Sequence, residues 1–201
     1  AITVFFTVFF PSLLVLTPLQ ILWINLVTNG APALGLGVDS PEPGEMLNRP
    51  RPVAAGLLDP DDLWFLFGFG LLIGLIGIGA YLLPESILPA SATAAGARTH
   101  AFFVLALLPL AHAFNCRTRR TSLFSSALPG NAFLWVAVVS SAALQLVAIL
   151  VPALHGVFRI VPLGLRDWLM LIGVSLVVVP VWELGKAFLR GRDRARLSPA
   201  A

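Results

Sequence analysis

Six apolar stretches, separated by short polar or proline-containing breaks, organise this chain. They run roughly over 1–16, 19–38, 63–83, 100–114, 133–151 and 168–189. A helix needs about 20 apolar residues to cross a bilayer, and lipid admits only a backbone that pairs its own amides. The pattern therefore predicts an all-α polytopic membrane helical bundle with about six transmembrane helices. The first run is short for a full crossing and opens at Ala1 with neither Met nor a basic leader. It reads as a cut inside a longer hydrophobic segment, and not as a secretory signal. The fourth run is also short, which predicts recruitment of flanking residues or little tilt. Only Thr17-Pro18 separates the first two, enough for a tight hairpin.

Composition agrees. Of 201 residues, 58% are hydrophobic and 11% charged, whereas soluble domains have about 45–50% apolar and about 25% charged residues. A soluble globular class is excluded. The lone Cys116 leaves no disulfide framework. Counting Lys and Arg on alternate sides of the spans orients the chain. Arg49, Arg51, Arg117, Arg119, Arg120, Lys186, Arg190, Arg192, Arg194 and Arg196 fall on one side, and Arg98, Arg159 and Arg166 on the other. Ten against three puts the first set, and the C-terminus, in the cytoplasm. The expected organisation is a membrane domain over 1–190 and a basic, frayed cytoplasmic tail over 191–201, in contact with anionic lipid.

Within the spans, Trp64, Trp135, Trp168 and Trp182 lie near predicted ends, where indoles anchor at the headgroup level. Gly70 and Gly74 have the spacing of a close helix–helix contact. His112 reads as a helix-contact group, Glu183 and Lys186 as an ordinary pair one turn apart, and Cys116 as a small residue at a helix end. Asp59, Asp61 and Asp62 complement the start of the third span.

Catalytic patterns are missing. The sequence has no HExxH, CxxC or GxSxG, and its only Lys, Lys186, stands outside any phosphate-binding loop. His100 and His112 stand far apart within the fourth run and His155 lies on another segment, without an acid at metal-ligand spacing to any of them. No catalytic or cofactor-binding residue is assigned.

The second span holds the informative polar residues. Asn25, Thr28 and Asn29 stand at i, i+3 and i+4, one face of a helix, with Gly30 and Pro32 immediately after. Proline removes the donor that would pair with the Thr28 carbonyl. Amide oxygens, a hydroxyl and a loosened carbonyl suit a hard cation, and a broken helix is tolerated where it lines a site. The same residues also serve as polar contacts between helices, at about 0.6 kcal/mol each. Spacing alone leaves both readings open.

The run from Pro18 to Val38, PLQILWINLVTNGAPALGLGV, resembles the sixth membrane helix of calcium-pump-like P-type cation-transporting ATPases. PEPGEMLNRPRP, from Pro41, is similar to the cytoplasmic loop after it. HAFNCR, from His112, resembles the end of the eighth helix, and Asp167-Trp-Leu with Glu183 resembles the tenth. These matches cover essentially the whole chain in order. The resemblance implies helices five to ten of such a pump, its C-terminal membrane domain. ATP, Mg and the phosphorylated Asp then belong to missing upstream domains. It also implies that Asn25 and Thr28 match cation-coordinating positions. At Asn29 the family usually carries Asp, and at Pro109 often Glu or Gln, so two oxygen ligands are weakened or lost. A monovalent ion, an altered stoichiometry or a decayed pump would follow from such losses.

The expected function is thus the membrane-embedded C-terminal part of a P-type cation pump, contributing Asn25, Thr28 and Asn29 to ATP-driven transport without hydrolysing ATP itself. Its expected partners are the lipid bilayer and the missing N-terminal half, in the same or a separate chain, with no nucleic acid. The expected location is a bacterial plasma membrane. Alternatives are a stand-alone non-enzymatic membrane module, a pump remnant, or an unrelated channel or carrier. A carrier should show two broken helices in inverted repeats, and one break is found.

Overall fold

Thr17 begins the first described helix through a reciprocal cap. Its hydroxyl accepts from the Gln20 N–H at 3.3 Å, and Gln20 Oε1 accepts from the Thr17 N–H at 2.8 Å. With Pro18 at the first helical position, the sequence Thr-Pro-Leu-Gln specifies a helix start. The computed structural model describes residues 15–41, 60–83, 85–87, 89–118, 122 and 130–197. Nearly all of the expected first span and the loop beyond Pro41 lie outside these residues.

The second span forms one broken helix. It consists of α1 (Pro18–Trp23), a π-helical segment (Ile24–Gly30) and α2 (Ala31–Gly37). Then come α3 (Pro60–Leu82), a 3₁₀ turn (Pro89–Ala92), α4 (Ala94–Asn115), α5 (Ala132–Leu150), α6 (Pro152–Phe158), α7 (Leu165–Leu176) and α8 (Val178–Leu197). No strand forms among the described residues.

By length and apolarity, three described segments can cross a membrane: Ala94–Asn115, Ala132–Leu150 and Leu165–Phe188, with Leu66–Leu82 a shorter apolar helix. The count of six is therefore not reproduced. The first run is outside the described residues, and the second is divided into short pieces by its π segment. The fourth span starts six residues earlier than hydropathy indicates, because Thr93 Oγ1 accepts from the Gly96 N–H at 3.0 Å and caps a small-residue turn. The last span is interrupted at Val177. Pro180 has no N–H for the Leu176 carbonyl, and its ring crowds that oxygen. Residues 191–197 continue α8.

Helix α4 is the axis of the bundle. Ala101, Phe102, Phe103, Val104, Ala106 and Leu108 are wholly buried, and α3, α5, α7, α8 and the π segment all pack on it. Leu22, Leu26, Leu75, Val136, Leu169 and Leu184 point outward, an apolar surface suited to lipid. In lipid, tight packing and polar contacts hold helices together, so small residues matter at crossings. The α3–α4 crossing closes at Gly77, where a methyl group would lie 2.5 Å from Leu105 Cδ2. Gly70, expected at such a contact, faces open space.

Polar contacts close both ends. At one, Arg117 bonds Asp39, Trp182 Nε1 donates to the Asn115 carbonyl at 3.2 Å, and buried Lys186 donates to Thr118 Oγ1 at 2.9 Å while lying 3.3 Å from Glu183. At the other, Asp167 accepts from the Gly164 N–H at 3.1 Å and lies 3.2 Å from His100 Nε2. His112 stacks on Phe69 at 3.6 Å and meets Trp182 edge-on at 4.4 Å, the expected helix contact. Trp182 thus packs between helices, while Trp135 is exposed near the start of α5.

Candidate cation site

All three candidate ligands fall in the π-helical segment Ile24–Gly30. This i→i+5 register adds a residue to each turn, and such turns often occur at functional sites. It alters the geometry expected from α spacing. Positions i and i+4 stay close around the axis, so Asn25 and Asn29 keep to one side, while i+3 swings away. Thr28 is accordingly buried, with 1% of its surface exposed, and its hydroxyl donates to the Ile24 carbonyl at 2.8 Å. Asn25 is exposed and Asn29 half-buried. The three do not share one face: two amides line one side, and a hydroxyl with its lone pairs turns inward.

The carbonyl with an external donor is Val27's, one residue before the one that α geometry frees. Ser141 of α5 is that donor, its hydroxyl bonding the Val27 oxygen at 2.8 Å. An unpaired carbonyl in hydrocarbon costs several kcal/mol, far more than an ordinary polar contact between helices, so this bond matters most where the helix is broken.

Three further bonds tie the broken helix to the same side. Asn131 Nδ2 donates to the Gly35 carbonyl at 3.0 Å. Trp23 Nε1 donates to Gln145 Oε1 at 2.8 Å, and Gln20 Nε2 donates to the Phe158 carbonyl at 3.0 Å. Positions 35, 27, 23 and 20 thus meet 131, 141, 145 and 158 in antiparallel order. Gly35 permits close approach, since a methyl there would lie 2.9 Å from Leu134 Cα. The ladder fixes one side of the π segment and leaves the Asn25 side open. Sequence reasoning missed these groups, although Ser141 and Gln145 stand at i and i+4 in a helix that is apolar but for them and Ser140.

No group of three or more His, Cys, Asp or Glu side chains able to hold a metal occurs among the described residues. Any cation on this segment would meet neutral oxygen atoms from it. Pro109, where the resemblance would place an acid or amide, lies within α4 and offers no side-chain oxygen. His100 and Asp167, on separate segments, do come together, as an element-spanning pair.

The structure defines an all-helical bundle with segments long and apolar enough to cross a membrane, and the comparisons narrow that class. Residues 13–188 match the family model described as "Cation transporting ATPase, C-terminus", and the chain belongs to that family. It is 38% identical to the calcium-transporting ATPase of Bacillus subtilis (strain 168) over 179 residues, covering 87% of this chain and 19% of that protein. It is 32% identical to calcium-transporting ATPase 1 of Bacillus cereus over 200 residues, covering 92% and 22%. A calcium-transporting ATPase of Listeria monocytogenes is 29% identical over 171 residues, covering 85% and 19%. The chain therefore spans about a fifth of the length of these relatives. Family and apolar helices together place it in a membrane.

Proposed function

We propose that this chain is the C-terminal membrane part of a P-type cation pump, with helices corresponding to the fifth to tenth of such pumps, and that its π segment supplies ligands to the transported cation. The juxtaposition of Asn25 and Asn29 on the open side of a broken helix supports this most directly. Both amide oxygens are available there, and neither side chain bonds another described residue. Helices from the rest of the pump supply the facing ligands, and its other domains bind ATP and Mg and carry the phosphorylated aspartate. Thr28 contributes from the buried side, through lone pairs left free by its donated proton. The C-terminus lies in the cytoplasm, and the membrane is a bacterial plasma membrane.

The relatives are named for calcium transport, and calcium is the first cation to test here. An Asn29 amide in place of a carboxylate removes one negative charge, and charge count tunes affinity for hard cations. The test is cation-stimulated ATP hydrolysis by the full-length protein in membrane vesicles, with calcium, manganese, sodium and potassium in turn. Asn29→Asp is expected to raise the apparent affinity for divalent ions by at least about tenfold. Unchanged activation by every ion would refute a ligand role for this position.

A further inference from the structure

Ser141 sits on α5, a helix that carries none of the proposed ligands, yet its hydroxyl bonds the backbone of the segment that does. Two observations make this more than helix adhesion. The acceptor, the Val27 carbonyl, lies inside the π segment Ile24–Gly30. In addition, Ser141 is almost wholly buried, 1% exposed, and its neighbour Ser140 bonds only the Ala137 carbonyl of its own helix, at 3.1 Å.

We propose that Ser141 is a positioning residue for the cation site: by holding the Val27 carbonyl it locks the π register that leaves Asn25 and Asn29 on the open side and turns Thr28 inward. Without this donor the cheapest repair is a return toward α geometry, which brings Thr28 back toward the amide face and changes the set of oxygens presented to the cation. Trp23 and Gln145 on one side, and Gly35 and Asn131 on the other, anchor the flanking turns. The rearrangement is therefore confined to the π segment. Ser141 would then act on the cation through backbone geometry and not by touching it. This inference rests on the proposed ligand role of Asn25 and Asn29.

The experiment measures the cation concentration for half-maximal ATP hydrolysis, together with maximal rate, in the full-length protein. Wild type is compared with Ser141→Ala, Ser141→Cys, Ser141→Thr, Ser140→Ala and Asn25→Ala. Ser141→Ala is expected to raise the half-maximal concentration about tenfold with the maximal rate largely kept, as loss of one hydrogen bond to a buried group implies. Ser141→Thr should restore it to within about twofold, since a hydroxyl is retained, and Ser140→Ala should match wild type. Ser141→Cys conserves volume with a weaker donor, so it reports the same shift should the alanine variant fail to accumulate. If Asn25→Ala weakens activation while Ser141→Ala and Ser141→Cys do not, the positioning role is overturned and the ligand reading stands. Reduced protein yield at unchanged half-maximal concentration also overturns it, because that is a purely structural effect. If Asn25→Ala leaves activation unchanged, or wild type shows no cation dependence, the underlying ligand reading fails instead.

Discussion

Arg117 grips Asp39 with both prongs of its guanidinium, Nε to Oδ2 at 2.7 Å and Nη2 to Oδ1 at 3.1 Å, and so joins the end of α4 to the residue just beyond α2. The broken helix is thereby fixed at one end by a charged pair, in addition to the neutral bonds along its length.

This pair should contribute to stability in a pH-dependent way. Hydrogen bonding to Arg117 holds the Asp39 carboxyl below its ordinary value of 3.8. A depressed folded-state pKa contributes stability that is present above the unfolded value and is lost as pH falls through the folded one. Asp39→Asn should therefore lower stability by about 1 kcal/mol at pH 7, and the difference from wild type should shrink as pH drops below about 4. Thermal unfolding in detergent across that range checks this; a difference independent of pH would exclude the ion pair as its source.

Two glycines in apolar helices should respond oppositely to alanine. A methyl group at Gly96 would run into the backbone carbonyl of Ala90, which has no flexible way to yield. Gly70 faces open space. Gly96→Ala should cost about 2–3 kcal/mol by overpacking, while Gly70→Ala should be neutral or gain up to about 1 kcal/mol from helix propensity. Unfolding midpoints of the two variants decide it, and equal effects would contradict the packing at the start of α4.

Asp167 holds the opposite end of the bundle, accepting from the Gly164 N–H while its other oxygen faces His100 and, at 3.5 Å, the Ala90 N–H. Asp167→Ala should cost about 2–3 kcal/mol, because it removes a helix cap and strands buried donors. Asp167→Asn, which keeps one acceptor oxygen, should cost less. Chemical denaturation in detergent would show the order, and alanine proving no worse than asparagine would rule out the cap as the source.

Much of the helical framework was legible because span length and apolarity are local properties of the chain. Boundaries failed where a cap or a proline decides them, as Thr93 does for α4 and Pro180 for the break at Val177. The short helix α6 was invisible to hydropathy, and it ends with Arg159 at φ 52°, a conformation its type does not advertise. Gly30 and Pro32 signalled a break, but its π register has no local signal, and the Ser141 hydroxyl bonded within it comes from 114 residues away in sequence. For the same reason Thr28 was expected beside the two asparagines and is instead turned inward. The approach of His100 to Asp167 has no signal in local spacing because it joins distant elements. Conversely, the Glu183–Lys186 pair was anticipated from spacing one turn apart, and the structure has it at 3.3 Å.

The account stands on Asn25 and Asn29 as cation ligands. Equilibrium binding of radiolabelled calcium to the purified full-length protein, wild type against the Asn25→Ala and Asn29→Ala variants, tests this most directly. Each substitution should weaken binding by about tenfold or more, as loss of an oxygen ligand to a charged ion implies. Binding to both variants with wild-type affinity would contradict the site.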